Sequence, residues 1–193
     1  MRELDLRGKG CPIPLVETRK FINENRQEDF KVLLDNEVSF LNIKKYLENN
    51  KINYSSNQNG EEYAFEIIFD GNEKLSQEKF QINNFTILVM SDSFGEGDEE
   101  LSKTLMKSYF YALDESITLP SNIIFINSGV KVLTREYGVY NHIQSLKNRG
   151  VNILACGICT DYYNLKDKLE VGEISNMYSI IEILNNSDSV IRI

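Results

Sequence analysis

Residues 3–15 read ELDLRGKGCPIPL, and this stretch decides how the first part of the chain folds. Residues 3–6 alternate charged and apolar side chains, which is the pattern of a short strand. Gly8 and Gly10 interrupt that strand, and Pro12 has the fixed φ angle that suits the start of a helix. Apolar residues at helical spacing continue to about residue 25. The sequence therefore places Cys11 in a loop directly before the first helix.

The rest of the first seventy residues completes a small α/β domain. Residues 30–34 are an apolar strand, and Asp35 and Asn36 can cap a second helix that ends near residue 50. Two alternating segments, 52–56 and 63–69, flank the turn-forming residues 57–60. The element order β-α-β-α-β-β predicts a two-layer sandwich for residues 1–70.

A change in composition separates this domain from the rest of the chain. Residues 71–84 are polar and aperiodic, so we expect a linker there. Residues 85–90 are continuously apolar, which is typical of a strand buried on both faces. Further strands at 123–126, 151–155 and 190–193 alternate with helices near 101–113, 139–146 and 177–184. This alternation predicts a three-layer parallel α/β domain over residues 85–193.

Composition excludes several classes of function. The 193 residues carry a net charge of −8 without a basic stripe, which argues against stable nucleic-acid binding. No segment approaches the ~18 apolar residues of a membrane span, and the first residues lack a signal-peptide core. Three cysteines are too few and odd in number for a disulfide scaffold. We therefore expect a cytoplasmic protein with reduced thiols.

Cys11 is the most informative residue of the first domain. The start of a helix stabilises an anion, so Cys11 is predicted to react as a thiolate or to hold an anionic persulfide. Gly10 lets the backbone curl toward the sulfur, while Arg7 adds positive potential. Pro12 and Pro14 fit structural roles, since they fix the helix entry and the position of the thiol. The alternative is a small buried cysteine without chemistry.

In the second domain, three loops follow predicted parallel strands and should converge at the carboxyl edge of the sheet. The first loop, 91–98, includes Gly95 and Gly97, but it lacks the dinucleotide spacing and the lysine of a phosphate loop. Its acidic residues would also repel a phosphate, so the glycines are expected to make a turn. The second loop, 127–130, includes Asn127 and Gly129.

The third loop contains the pair Cys156 and Cys159. Such a pair can form a disulfide, or one thiol can resolve a persulfide on the other. Zinc would need two more ligands, and only Cys11 and His142 could add sulfur or imidazole, so we expect no metal. His142 shares a helix face with apolar residues, which favours packing over catalysis. The alternative for the pair is two small buried residues at a strand end. No cofactor is expected.

Two stretches carry a family resemblance. Residues 11–14 (CPIP), preceded by residues 4–8 (LDLRG), resemble the C-P-x-P signature of the TusA/SirA family of sulfur carriers. The β-α-β-α-β-β order matches the fold of that family over about residues 1–70. The resemblance implies that Cys11 receives a persulfide sulfur and passes it to another protein.

Residues 85–193 resemble a DsrE-like α/β domain, and the fusion resembles the YedF family, which is sulfurtransferase-like and associated with selenium metabolism. The resemblance lies in residues 95–101, 127–131, 156–159 and 169–177. It implies a sulfur or selenium donor protein, such as a cysteine desulfurase, and a downstream acceptor protein. It also implies a homo-oligomer assembled through the C-terminal domain.

Three functional hypotheses remain open from the sequence. The first is a carrier or transferase that moves sulfur or selenium as a persulfide-type group on Cys11, with Cys156 and Cys159 as further catalytic residues. The second is a thiol–disulfide redox module that uses the cysteine pair. The third is a regulatory or binding protein whose cysteines take no part in chemistry.

Overall fold

The computed structural model describes residues 2–25, 28–69 and 80–193. The chain divides into two compact units, Met1–Glu78 and Lys79–Ile193, and each is described by itself. Both units are mixed α/β structures, which confirms the predicted fold class. Of the predicted linker 71–84, residues 71–79 lie outside the described residues.

The N-terminal unit is a four-stranded sheet with two helices. The sheet order is β1-β2-β4-β3, with β1 parallel to β2 and the other pairs antiparallel. This arrangement confirms the predicted β-α-β-α-β-β order. The elements are β1 (Arg2–Asp5), α1 (Ile13–Glu24), β2 (Phe30–Leu34), α2 (Glu37–Asn49), β3 (Asn53–Asn59) and β4 (Glu62–Ile68).

One face of this sheet holds the core of the unit. Alternate residues of β2 are buried, as the period of a strand with one covered face requires. Asn36 caps α2 because its side-chain oxygen accepts a hydrogen bond from the Ser39 N–H at 2.8 Å. Since β1 and β2 are parallel and each leads into a helix, α1 and α2 begin at the same edge of the sheet. The core residues include Ile22, Phe30, Val32, Leu34, Ile43, Leu47, Phe65 and Ile67.

The C-terminal unit is a five-stranded sheet in the order β8-β7-β6-β5-β9, and every strand pair is parallel. The predicted parallel α/β architecture is therefore confirmed. The elements are β5 (Gln81–Val89), α3 (Glu99–Asp114), β6 (Thr118–Phe125), α4 (Tyr140–Asn148), β7 (Asn152–Cys156), α5 (Gly157–Tyr162), β8 (Glu173–Ser175), α6 (Met177–Asn185) and β9 (Ser189–Arg192).

Helices cover the two faces of this sheet unequally. Met106 and Phe110 of α3, together with Ile143 and Leu146 of α4, pack on one face. On the other face, Ile180 of α6 packs against residues of the central strands. Apolar side chains of α6 also remain exposed, and they are Met177, Tyr178 and Ile181. Among the helices of the described ranges, none is long and apolar enough to cross a membrane.

Three features of this unit differ from the sequence prediction. Residues 81–84, which were predicted as the end of the linker, form the start of β5, because backbone pairing with β6 does not require buried side chains. The predicted loop 156–161 is in fact the end of β7 followed by α5. Cys156 therefore closes a strand and Cys159 lies in a helix. The strand β8 was not predicted, because its three residues are too few to produce an alternating pattern.

Candidate functional site

Cys11 is exposed in the turn between Gly10 and α1. The Ile13 N–H donates to the Gly10 carbonyl at 3.0 Å, which closes this turn. Pro12 and Pro14 have no N–H to offer. The start of α1 therefore has fewer free amide donors than the prediction of an anion-stabilising helix end assumed. The feature of this structure that favours reaction at Cys11 is the exposure of its thiol to solvent.

Arg7 is held by carboxylates. Its guanidinium donates to both oxygens of Asp5, at 2.9 and 2.6 Å, and lies 3.5 Å from a carboxylate oxygen of Glu62. These hydrogen bonds hold the pKa of Asp5 at about 2, below its ordinary value. Two carboxylates therefore match the charge of Arg7, and its role beside the Cys11 sulfur stays a prediction. The neighbouring Gly8 N–H donates to Asp35 at 2.6 Å and ties this loop to the end of β2.

The second thiol site lies where β6 and β7 end. Cys156 is the last residue of β7 and is almost fully buried, at 1% exposure, while Cys159 is partly exposed in α5. The backbone N–H of Asn127 donates to Sγ of Cys159 at 3.1 Å. The hydroxyl of Tyr163 donates to the side-chain oxygen of Asn127 at 3.3 Å. The predicted convergence of the second and third loops is thus confirmed.

The surroundings of Cys159 favour its neutral thiol. Burial raises the pKa of Cys159, and its hydrogen bond with the Cys156 thiol raises that pKa further. The Asn127 N–H acts in the opposite direction, because it stabilises the thiolate. The balance of these contacts raises the pKa of Cys159, and a reactive role for the pair stays a prediction.

The first loop joins the same edge of the sheet. The Asp92 N–H donates to the hydroxyl oxygen of Ser128 at 3.1 Å. Gly129 lies so close to β5 that a Cβ there would be 2.4 Å from the carbonyl oxygen of Val89. Gly95 has a left-handed φ of 79°, and it lies with Gly97 in the bends before α3. All three predicted loops therefore meet, and their glycines have conformational or packing roles.

His142 has a structural partner. Its Nδ1 atom lies 2.9 Å from a carboxylate oxygen of Asp114, and its ring packs edge-on against Tyr111. Arg149 also reaches Asp114, with a nitrogen 3.7 Å from the other carboxylate oxygen. These contacts join α4 to the end of α3, which agrees with a packing role for His142. In the described parts of the chain, no three His, Cys, Asp or Glu residues are grouped to hold a metal ion.

Two further residues at this edge were not predicted as site residues. Tyr163 reaches Asn127, and the Lys131 ammonium group lies 4.8 Å from the centre of the Tyr163 ring. The only signal for Tyr163 was an aromatic residue shortly after the cysteine pair. Lys131 was singled out only as the last residue of the stretch 127–131 that carries the family resemblance, because a single lysine shortly after a glycine turn is common on protein surfaces.

Two family models match this chain, and each covers one of the two units. The model of the sulfurtransferase TusA matches residues 2–68, and the model of the DsrE/DsrF-like family matches residues 83–193. A Methanocaldococcus jannaschii protein named "Putative sulfur carrier protein" is 39% identical over 51 residues, which are 26% of this chain and 68% of that protein.

Two solved structures are also similar. The SirA-like protein of Desulfitobacterium hafniense has 26% identity and a TM-score of 0.32, over 35% of this chain and 95% of that one. The YchN protein of E. coli has 14% identity and a TM-score of 0.42, over 57% of this chain and 99% of that one.

The fold and the matched domains define a class of protein, a TusA-type sulfur-transfer domain fused to a DsrE-type domain. Within that class, the chain belongs to the DsrE/DsrF-like family through residues 83–193.

Proposed function

We propose that this protein carries sulfur or selenium between proteins on the side chain of Cys11. The observation that carries the proposal is the exposed Cys11 thiol before the first helix of a unit that matches the TusA model. A carrier must present its sulfur to two different partner proteins in turn. An exposed cysteine in a short turn meets that requirement better than a buried one.

The transfer step is a thiol–persulfide exchange. The Cys11 thiolate attacks the outer sulfur of a persulfide on a donor protein, and a new S–S bond forms at Cys11. The S–S bond of the donor breaks, and the donor cysteine leaves as a thiolate. One sulfur atom moves without net oxidation, so no further oxidant or reductant is required. The same exchange with a perselenide would move selenium.

The donor in this proposal is a protein that forms persulfides from cysteine, such as a cysteine desulfurase, and the acceptor is a second protein with a reactive thiol. Both steps belong in the cytoplasm, where thiols stay reduced. The free state of Cys11, Cys156 and Cys159 suits such a compartment. The association of the YedF family with selenium metabolism makes selenium the second cargo to test.

Mass spectrometry of the full chain after incubation with a cysteine desulfurase and cysteine tests this proposal. We expect a mass increase of one sulfur atom on the peptide that contains Cys11. Cys11→Ser should abolish the gain, while the matched control Cys159→Ser should keep it on Cys11. If wild type gains no sulfur at Cys11, the carrier proposal fails and the binding-protein hypothesis is favoured.

A second candidate function concerns the C-terminal pair. The Cys156 and Cys159 thiols are hydrogen-bonded to each other, and Cys159 also accepts the Asn127 N–H. In this proposal the Cys159 thiolate takes the outer sulfur from the Cys11 persulfide, and Cys11 leaves as a thiolate. Cys156 then attacks Sγ of Cys159, which forms a disulfide and releases hydrosulfide. The outer sulfur gains the electrons that the two cysteines lose, and a cellular dithiol restores the pair.

A label chase separates the two functions. Cys11 is loaded with ³⁵S in wild type and in the double variant Cys156→Ser/Cys159→Ser, and the label on each peptide is followed over time. The relay predicts label on the Cys159 peptide of wild type and slower loss from Cys11 in the double variant. Equal loss in both proteins, with no label on the C-terminal unit, would leave Cys11 as a carrier alone. A Cys156–Cys159 disulfide without sulfur on Cys11 would favour the redox module instead.

A further inference from the structure

The C-terminal unit contains an open cavity of about 460 Å³ whose lining includes neither cysteine of the pair. Its walls come from α3, from the 3₁₀ segments after β6, and from the segment after α5. A volume of this size is typical of a small-molecule site. Four of its lining residues are lysines: Lys103, Lys107, Lys131 and Lys168.

The cavity is positively charged although the protein is acidic. Four lysines line it against two carboxylates, Asp92 and Glu136, while the whole chain has a net charge of −8. A concave surface that gathers one sign of charge concentrates ions of the opposite sign. The lining therefore favours an anion.

Two of the lysines have charges that no carboxylate matches. Lys103 lies 2.6 Å from Glu99, and Lys131 lies 3.5 Å from Asp92, so both are paired. Lys107 and Lys168 form no ion pair with any residue that the structure describes. Their ammonium groups can therefore bind an incoming anion without breaking an existing salt bridge.

The cavity also offers apolar surface. The ring of Tyr137 and the side chain of Leu165 contribute to its lining. The Tyr137 hydroxyl donates to the backbone carbonyl of Asp92, which orients the ring. Burial raises the pKa of Tyr137 to about 12, so the ring stays neutral. An aromatic or aliphatic part of a ligand can pack there while its charged group meets the lysines.

We propose that this cavity binds a small organic molecule with a doubly charged anionic group, such as a phosphate monoester. The anionic group is bound by Lys107 and Lys168, and the organic part packs against Tyr137 and Leu165. The site is a second binding site of the protein, beyond its sulfur-carrying cysteine.

Isothermal titration of the full chain with phenyl phosphate and with inorganic phosphate, at constant ionic strength, tests this proposal. We expect saturable binding of phenyl phosphate that is tighter than binding of inorganic phosphate, because only the former has a ring to pack on Tyr137. The variant Lys107→Gln/Lys168→Gln should weaken phenyl phosphate binding about tenfold or more, since each lysine supplies a charge-assisted hydrogen bond.

The matched control is Lys44→Gln/Lys45→Gln, which removes the same charge from lysines outside the cavity lining. It should keep the wild-type affinity, and all three proteins should share one melting temperature without ligand. An equal loss of affinity in both double variants would overturn the proposal, because binding would then depend on overall charge. Absence of saturable binding to wild type, or equal affinities for the two probes, would also overturn it.

Discussion

The backbone N–H of Asn127 donates a hydrogen bond to Sγ of Cys159 across 3.1 Å. This contact joins the end of β6 to α5, and the two segments meet because β6 and β7 are parallel neighbours. Asn127 has a left-handed φ of 50°, a conformation that asparagine tolerates better than most residues. The donor that faces the thiol is therefore a backbone group, and the conformation of the turn sets its position.

Cys159 should react slowly with alkylating reagents at neutral pH. Burial and the Cys156 hydrogen bond raise its pKa above the ordinary value of 9.0, so the thiolate forms only as the pH rises beyond that value. Iodoacetamide rates for Cys159 between pH 6 and 11, measured by peptide mass spectrometry in Cys11→Ser, check this. Cys156→Ala should shift the midpoint downward. A midpoint at or below that of a free cysteine would contradict the prediction.

Arg7→Gln should raise the pKa of Asp5 from about 2 toward its ordinary value of 3.8. In the folded protein the pKa is depressed, so this pair stabilises the fold above about pH 4 and loses that effect as the pH falls toward 2. Carboxyl chemical shifts of Asp5 measured against pH give both values. Lys9→Gln is the control, and an equal shift in that variant would show that general charge, and not Arg7, sets the pKa of Asp5.

Gly129→Ala should destabilise the C-terminal unit by about 1–3 kcal/mol. The added Cβ would lie 2.4 Å from the Val89 carbonyl oxygen, so backbone must move to admit it. Urea unfolding gives the free energy of unfolding of the variant. Gly10→Ala is the matched control, since a Cβ at Gly10 meets nothing within 4 Å. If the two substitutions cost the same, the close approach of Gly129 does not limit packing.

The two units should fold independently. Each has its own hydrophobic core, formed by its own residues. Fragments 1–70 and 80–193 should therefore each unfold cooperatively in thermal denaturation. The second fragment has to include residues 81–84, because these belong to β5. An unfolded fragment beside a folded full chain would show that the unit needs the rest of the chain.

The full chain should self-associate through the C-terminal unit. On α6, the side chains of Met177, Tyr178 and Ile181 remain exposed, and burying such apolar surface against a second copy is favourable. Light scattering at micromolar concentration should show a mass above that of one chain. Tyr178→Glu/Ile181→Glu should restore the monomer, while Val38→Glu, at an exposed apolar residue of the N-terminal unit, should not. A monomeric wild type would contradict the prediction.

Strong local patterns predicted most of the architecture. Strand β2 occupies residues 30–34 as predicted, because three alternating buried residues there leave little choice of register. The buried half of β5 was also identified, since a continuous apolar run marks a strand covered on both faces. The closing strand was predicted at residues 190–193 and lies at Ser189–Arg192, although all four of its residues are exposed. The start of β5 was missed because its first four residues are exposed and pair only through the backbone.

The chemistry of the sites was harder to predict. The meeting of Asn127 with Cys159 followed from the parallel order of strands, but the neutral state favoured at Cys159 depends on burial, which the cysteine spacing does not reveal. The ion pairs of Arg7 with Asp5 and Glu62 were not predicted, for a related reason. Its neighbour in sequence, Asp5, and the distant Glu62 compete for the guanidinium, and only the hairpin of β3 and β4 brings Glu62 near.

The last strand of the C-terminal unit lies beside its first. β9 pairs with β5, and the Ile193 N–H donates to the Leu88 carbonyl at 3.0 Å. During synthesis the residues of β5 that pair with β9 are made more than a hundred residues before β9 itself. The edge of β5 at residues 85–88 therefore stays unpaired until β9 has been made. The fifth strand can join the sheet only after translation has passed residue 192. The pair of β5 and β9 is consequently the last strand pair of this unit that can form during synthesis, and one edge of β5 stays open until then.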